Sequence, residues 1–222
     1  MSGHIVSSFD QDLKNLSRIV LEMGRLTKGS VNDSIASLSS YDTWLAETVI
    51  AMDTQIDKLQ KEVEDLATLM IARRQPMAHD LREIIASMRI AWDLERIGDL
   101  AKNIAKRVKN IDNPNFVKQQ VLGVESLANK STAQLSRILS SFASGDHDEA
   151  LAVWHADDEI DELYTSLFRE LLMYMMEDTR TITFCTHLLF CAKNLERIGD
   201  HVTDIAESVY YSRTGEQMPT NL

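Results

Sequence analysis

The sequence predicts an all-α protein made of two tandem, pseudo-repeated three-helix bundles, with six long antiparallel helices in total. Three observations predict this class. The 222 residues include only 8 Gly and 3 Pro, which is too little turn punctuation for a many-stranded barrel or sandwich. Apolar residues recur at the alternating steps of three and four that a helix seam requires. A six-residue motif also occurs twice, which indicates that the two halves share one helical pattern.

Helix-breaking residues divide the chain into six predicted segments of about 30 residues, each about 45 Å long at 1.5 Å rise per residue. Gly24 and Gly29 fall inside the first segment. The later breaks are predicted at Pro76, Pro114, Gly145 and Gly215. Because the connections between segments are short, we expect sequential helices to be antiparallel neighbours.

Two segments carry a clear hydrophobic seam of the a/d type. In the second segment the seam consists of Leu45, Val49, Met52, Ile56, Leu59, Val63 and Leu66. In the third it consists of Leu94, Ile97, Ala101, Ile104 and Val108. A strand would need a period of two, and these segments lack it. They are therefore predicted to be helices that pack along these seams.

An internal repeat relates the two halves of the chain. The motif Leu-Glu-Arg-Ile-Gly-Asp at 94–99 returns at 195–200, and a pattern with two Asp, an Ile and a Leu at 53–59 returns at 157–163. Two homologous three-helix units follow, with a boundary near the Asp-Asn-Pro-Asn sequence at 112–115. We place the first unit at residues 8–111 and the second at residues 115–213.

Acidic residues occupy matching positions in both units, at the i, i+4 and i+8 spacing that places side chains on one helical stripe. The first stripe contains Glu95, Asp99 and Asn103, and the second contains Glu196, Asp200 and Asp204. The neighbouring helices add the pairs Asp53 with Asp57 and Asp157 with Asp161. Relative to the seams, the stripes are expected to face away from the bundle axis.

These stripes are candidate metal sites. Like charges at i, i+4 destabilise an isolated helix by about 0.2–0.5 kcal/mol, and a glycine inside a helix costs about 1 kcal/mol relative to alanine. Both penalties occur twice at matching positions, since Gly98 and Gly199 lie beside the stripes. Carboxylate oxygens suit hard cations such as Mg, Ca, Mn and Fe. The alternatives are ordinary solvated acidic faces and helix glycines that are merely tolerated rather than needed for close helix approach.

Several other function classes are disfavoured. A net charge of −11 would repel a nucleic-acid backbone, so no nucleic-acid partner is expected. No histidine follows a glutamate by three residues, as a di-iron bundle enzyme requires, and no Gly-rich phosphate loop or nucleophile elbow occurs. The start of the sequence lacks a secretory signal pattern, and no stretch of about 18 apolar residues is present. We therefore expect a cytoplasmic protein without membrane insertion.

With the two copies of Leu-Glu-Arg-Ile-Gly-Asp, the chain resembles the PhoU family of accessory regulators of bacterial phosphate-specific transport. Further similar stretches are Arg-Arg-Gln-Pro-Met-Ala at 73–78, Asp-Leu-Arg at 80–82, the Thr-Phe to His-Leu region at 183–188 and Gly-Glu at 215–216. The similarity covers essentially the whole chain in the expected order.

This resemblance implies a function and a set of site residues. It implies a cytoplasmic, homodimeric, non-enzymatic regulator that carries metal ions on Glu/Asp-x-x-x-Asp clusters and restrains both the phosphate-starvation response and phosphate uptake. The implied partners are a sensor histidine kinase and the ATPase subunit of the phosphate ABC transporter. The implied metal residues are Asp53, Asp57, Glu95, Asp99, Asp157, Asp161, Glu196 and Asp200. Because Asn103 replaces the acid found at Asp204, the first cluster is expected to bind ions more weakly. The alternative is a structural adaptor without metal.

Overall fold

The computed structural model describes residues 2–111 and 117–219, and within these ranges it contains seven α-helices, one short 3₁₀ helix and no strand. The elements are α1 (Ser2–Ser40), α2 (Thr43–Arg74), α3 (His79–Val108), α4 (Val117–Ser144), α5 (His147–His155), α6 (Asp158–Glu177), the 3₁₀ helix Thr179–Thr181 and α7 (Ile182–Thr214). The predicted all-α class is confirmed. The predicted boundary at 112–115, including Pro114, lies outside the described residues.

The helices form two bundles that lie against each other. Helices α1, α2 and α3 pack together in the first half, α4 to α7 pack together in the second, and α3 with α7 and α1 with α4 join the halves. The guanidinium of Arg107 lies 4.0 Å from the ring centre of Phe190, and that of Arg89 lies 6.0 Å from the ring centre of Tyr211. Since the later residue of α3 meets the earlier residue of α7, these two helices are antiparallel.

The internal repeat is visible in matched hydrogen bonds between helices. In the first half, the Thr27 hydroxyl of α1 donates to the Leu94 carbonyl of α3 at 3.3 Å. In the second half, the Ser131 hydroxyl of α4 donates to the Leu195 carbonyl of α7 at 3.4 Å. Both hydroxyls are buried, where a polar group needs a partner. The two bundles therefore position the repeated motif in the same way.

Matched caps also begin the second helix of each half. The Asp42 carboxylate accepts a hydrogen bond from the Leu45 amide at 3.0 Å, and the Asp146 carboxylate accepts one from the Glu149 amide at 3.1 Å. An aspartate at this position satisfies an amide that the first helical turn leaves unpaired. Gly145, with φ of 72°, makes the tight turn before the second cap. The α1–α2 boundary has no glycine or proline, so only its cap marks it in the sequence.

The predicted seams form much of the core. All five seam residues of α3 are fully buried. In α2, by contrast, Val49, Ile56 and Val63 are buried, whereas Leu45 and the three remaining seam residues are only partly covered. Among the described residues, helix α2 packs mainly on α1 and α3, so one side of its seam lies at the edge of the bundle.

The predicted helical segment that follows Gly145 is not one continuous helix. It is divided at Ala156 and Asp157 into α5 and α6, where amides hydrogen-bond to carbonyls three residues back instead of four. The buried Gln134 of α4 donates from its side-chain nitrogen to the Ala156 carbonyl at 2.7 Å, which satisfies a group that the break releases. The sequence did not predict this break because neither glycine nor proline lies there.

Candidate functional site

The first acidic cluster consists of Asp53, Asp57, Glu95 and Asp99, on the facing sides of α2 and α3. The ammonium nitrogen of Lys102 lies 2.5 Å from Asp53 Oδ2 and 2.5 Å from Asp99 Oδ1. One ammonium therefore bridges a carboxylate of α2 and a carboxylate of α3. Antiparallel packing explains the arrangement, because it places Asp53 of α2 opposite the turn of α3 that carries both Asp99 and Lys102.

Electrostatics in the first acidic cluster show how closely its members interact. Burial alone lowers the pKa of Lys102, but its hydrogen bonds to Asp53 and Asp99 outweigh burial and raise that pKa to about 12. The pKa of Glu95 is raised by burial and then by the neighbouring Asp99 charge. Burial likewise raises the pKa of Asp57, followed by the charge of Asp53, while Lys102 opposes the shift. The cluster therefore carries more negative charge than one ammonium neutralises.

Part of the first acidic cluster is more covered than the expected outward orientation implied, although Asp57 is exposed. The side chain of Asp53 is 12% exposed and that of Glu95 is 21% exposed. Gly98 makes this coverage possible, since a Cβ there would lie 3.0 Å from Ile56 Cδ1 of α2. The close approach expected at this glycine is thus an isoleucine side chain packed against the helix.

The second acidic cluster consists of Asp157, Asp161, Glu196 and Asp200, where α6 begins beside α7. The pKa of Asp157 is raised by burial; the adjacent Thr203 hydroxyl opposes the shift, and the charges of Asp161 and Asp200 add to it. Thr203 occupies the position that Lys102 holds in the first repeat. Where the first cluster has an ammonium between its carboxylates, the second therefore has a neutral hydroxyl.

In the second half, an isoleucine side chain packs closely against Gly199, as Ile56 packs against Gly98. A Cβ at Gly199 would lie 3.0 Å from Ile160 Cδ1 and 3.6 Å from Asp157 Oδ1. At the far end of the cluster, the Lys193 ammonium hydrogen-bonds to Glu196 at 2.5 Å. Both clusters thus have one lysine, but Lys102 bridges two helices, whereas Lys193 contacts an acid on its own helix.

Asp204 lies in a different group from the one its spacing suggested. Its Oδ2 atom lies 3.7 Å from His201 Nδ1, and the same nitrogen lies 3.1 Å from Asp93 Oδ1 of α3. The pKa of Asp204 is raised by burial and then by Asp93, with His201 opposing. Its repeat counterpart Asn103 is exposed on α3. The Asn103 to Asp204 difference therefore affects the contact between the halves.

Sequence reasoning missed three contributors to these groups. Lys102 could have been found, because it lies three residues after Asp99 on the same helix. Thr203 could have been found by comparing the repeats at that position. Asp93 had no sequence signal, because its partner His201 belongs to the other half of the chain.

The donor chemistry of both acidic clusters fits a hard cation. Each supplies carboxylate oxygens from two helices, and in each at least one carboxyl has a raised pKa, caused first by burial and then by neighbouring carboxylates. The Lys102 ammonium already occupies a cation position between Asp53 and Asp99. A metal ion bound there would compete with this lysine, whereas in the described part of the chain no lysine bridges the two helices of the second cluster.

Comparisons with known proteins agree with the fold. A model of the PhoU domain matches residues 20–108 and again residues 124–209. The phosphate-specific transport system accessory protein PhoU homolog of Rhizobium meliloti (strain 1021) is 52% identical over 97% of this chain and 91% of its own length. The protein of the same description from Caulobacter vibrioides (strain NA1000 / CB15N) is 44% identical over 98% of this chain and 95% of its own.

Solved structures give the same result. The crystal structure of PhoU from Pseudomonas aeruginosa superposes with a TM-score of 0.89 at 35% identity and covers 94% of this chain and 100% of its own. The phosphate transport system regulatory protein PhoU from Streptococcus pneumoniae gives a TM-score of 0.86 at 29% identity, covering 95% and 99%. Among the described residues, none of the helices has the length and apolar character needed to cross a membrane. With two matched domains and relatives aligned over nearly its entire length, this chain belongs to the PhoU family.

Proposed function

We propose that this protein is a negative regulator of the phosphate-starvation response and of phosphate uptake. It acts as a helical adaptor with a sensor histidine kinase and with the ATPase subunit of the phosphate ABC transporter. Relatives described as phosphate-specific transport system accessory proteins support the pathway. The observation that carries the metal-dependent form of the proposal is the duplicated set of carboxylates on paired helices, with raised carboxyl pKa values in both halves.

In this proposal the two acidic clusters hold the metal ions, of the Fe, Mn or Mg type. Asn103 and Asp204, which the sequence also proposed as ligands, flank the clusters. A bound cation would neutralise carboxylates on two neighbouring helices at once and so fix their relative position. That fixed shape presents a constant surface to the kinase and the transporter in phosphate-replete cells.

The remaining features of the proposal follow the family. We propose a cytoplasmic homodimer without enzymatic activity, whose two repeats span residues 8–111 and 115–213. No covalent chemistry is assigned to the clusters, because their carboxylates serve as ligands. The acidic faces and exposed apolar side chains such as Met173 and Met176 of α6 are available for protein contacts.

The first experiment tests the pathway. Deletion of the coding sequence should raise expression of phosphate-starvation genes in phosphate-rich medium, and the unmodified gene should restore repression. Unchanged expression in the deletion strain would contradict the proposed regulation, whatever the metal content of the protein.

A second experiment tests the metal requirement. The double variant Asp157→Asn with Asp200→Asn should bind less Mn²⁺ than the unmodified protein, remain helical by circular dichroism and fail to restore repression. The matched control is Glu162→Gln. Glu162 is an exposed acid that follows Asp161 in α6, and this variant should behave as the unmodified protein. A folded double variant that lacks metal and regulates normally would replace the proposal with its alternative.

That alternative is a structural adaptor with no bound metal. The Lys102 bridge supports it for the first half, because the ammonium partly neutralises that cluster without any ion. Within the described residues the second half shows no equivalent bridge, so the metal-dependent proposal and the metal-free alternative differ most there. Absence of bound metal in the unmodified protein after incubation with Mn²⁺ would favour the alternative.

A further inference from the structure

A third group of metal-binding side chains lies at the contact between the two halves. Asp93 comes from α3, and His201 and Asp204 come from α7. One ligand atom from each lies within 4.8 Å of the other two. The side chains of Asp93 and His201 are 8% and 15% exposed, whereas that of Asp204 is 58% exposed. The group is therefore largely buried at Asp93 and His201 and open to solvent at Asp204.

We propose that Asp93, His201 and Asp204 form a zinc site that is separate from the two acidic clusters. Zinc is bound by imidazole nitrogen and carboxylate oxygen, and open zinc sites commonly use three protein ligands plus a water. An imidazole also favours zinc over the hard cations that suit all-oxygen sites. Three ligands of mixed type, with one exposed side for water, match this chemistry.

The distances agree with a shared ion. Two ligands bound tetrahedrally to zinc at about 2.1 Å are separated by about 3.4 Å. His201 Nδ1 lies 3.1 Å from Asp93 Oδ1 and 3.7 Å from Asp204 Oδ2, so both pairs lie within about 0.3 Å of that separation. The same nitrogen faces both carboxylates. Small movements of the side chains would let the three atoms meet one ion.

The surroundings supply space, access and negative charge. A cavity of about 280 Å³ adjoins the group and is lined by Arg89, Trp92, Asp93, Asp204, Glu207 and Ser208. Its three carboxylates outnumber its single guanidinium, so an entering cation is attracted. The edge-to-face contact of His201 with the Trp92 ring, at 6.5 Å between centres, helps to hold the imidazole in place.

The proposed site occurs once and connects the two repeats. The repeat positions equivalent to Asp93, His201 and Asp204 are Asn194, Leu100 and Asn103, so none of them offers a carboxylate or an imidazole. Because Asp93 belongs to the first half and the other two ligands to the second, a bound zinc ion would link α3 to α7. Neither acidic cluster can make that link, since each lies within one half.

The test measures Zn²⁺ binding by the full-length, chelator-treated protein in excess Mg²⁺, which competes for the all-oxygen clusters. Isothermal titration should give one Zn²⁺ per chain. His201→Gln should weaken this binding by at least about tenfold, because loss of a direct ligand should cost no less than loss of an outer hydrogen-bond partner. Asp204→Asn should weaken it as well, and because this side chain is exposed, the variant should fold as the unmodified protein does.

A matched control is His79→Gln, since His79 Nδ1 also lies 3.8 Å from a carboxylate oxygen, that of Glu83, but at an exposed site outside the group. It should bind Zn²⁺ as the unmodified protein does. The proposal is overturned if the unmodified protein binds no Zn²⁺, if folded His201→Gln and Asp204→Asn variants bind it unchanged, or if His79→Gln loses it equally. None of these outcomes bears on phosphate regulation, which is tested separately.

Discussion

The two acidic clusters hold carboxylates at the same four repeat positions, yet the structure balances their charge differently. In the first, the Lys102 ammonium lies between Asp53 and Asp99. In the second, Thr203 takes the place of that lysine, and Lys193 contacts Glu196 on its own helix. The sequence repeat therefore maintains the candidate ligands without maintaining their internal counter-charge.

The N-terminus of α6, which the break between α5 and α6 creates, supplies part of the positive charge that the second acidic cluster lacks. Asp157 lies immediately before α6, and the first turn of this helix contains Asp158, Glu159 and Asp161. Unpaired amides give a helix N-terminus a partial positive charge, which stabilises nearby carboxylates by about 0.3–1 kcal/mol. In the first half α2 continues through its acidic pair, so no helix terminus is available there. Because a helix N-terminus carries only about half an elementary charge, less than the full charge of the Lys102 ammonium, we still expect an added cation to stabilise the second cluster more than the first.

The largest expected effect tests whether the halves fold as one unit. Leu94→Ala and Leu195→Ala remove matched, fully buried side chains, and each should lower the free energy of unfolding by about 2–5 kcal/mol. Urea denaturation followed by circular dichroism measures the loss. Because α3 packs directly on α7, we expect a single transition in both variants. Two separate transitions in either variant would show that the halves unfold independently.

The two motif glycines should differ in their tolerance of a methyl group. At Gly199 a Cβ would meet Ile160 at both 3.0 and 3.1 Å, whereas at Gly98 the closest contact is a single flexible Ile56 Cδ1 at 3.0 Å. Crowding at Gly199→Ala should therefore cost about 1–3 kcal/mol of the free energy of unfolding, which exceeds the gain of about 1 kcal/mol from the helical preference of alanine.

For Gly98→Ala, the helical preference of alanine, worth about 1 kcal/mol, should offset most of the crowding. Urea denaturation of the two variants side by side gives the comparison. Equal stability of the two variants would show that Ile160 moves as easily as Ile56.

Exchanging Lys102 and its repeat counterpart Thr203 tests whether the lysine competes with a metal ion. Lys102→Thr removes hydrogen bonds to two charged groups and should lower metal-free stability at pH 7 by about 1–2 kcal/mol. It should also strengthen Mn²⁺ binding to the first acidic cluster, because the competing ammonium is gone. Thr203→Lys should weaken Mn²⁺ binding to the second.

Titration calorimetry with Mn²⁺ measures both affinities. Lys106→Thr is the matched control, since Lys106 lies one turn further along α3 and is exposed. If Lys102→Thr leaves Mn²⁺ affinity at the value of this control, the lysine does not compete with metal.

The smallest expected effect is on pH dependence. Asp57, Glu95 and Asp157 have raised pKa values in the folded protein, caused first by burial. Such groups contribute stability that is complete below their unfolded pKa and is lost as the pH rises through the folded pKa. Between roughly pH 4 and 7, the metal-free protein should therefore lose this contribution as pH increases.

Asp157→Asn should make the loss smaller than in the unmodified protein, and Mn²⁺ should have the same effect by neutralising the carboxylates. Glu162→Gln, which changes an exposed acid of α6, is the control and should retain the full pH dependence. Urea denaturation at several pH values measures the slope. A slope that Asp157→Asn leaves unchanged would remove this carboxyl from the explanation.

The sequence by itself determined the helical class, the two repeats and the positions of the candidate ligands. These features depend on local spacing. Seam residues such as Leu94 and Ile97 are buried as their period predicts, and i, i+4 acids share one side of a helix wherever that helix packs. The breaks at Pro76, Gly145 and Gly215 were also predictable, because proline restricts its own backbone and glycine readily adopts the positive φ seen at Gly145 and Gly215.

Only the tertiary structure decided what surrounds those ligands. The Lys102 bridge to Asp53 depends on how α2 lies against α3, and the pairing of Asp93 with His201 depends on contact between residues 108 positions apart. The break at Ala156 depends on a partner from α4, since Gln134 satisfies the released carbonyl. Such contacts follow from packing between helices, which the periodicity of a single helix cannot specify.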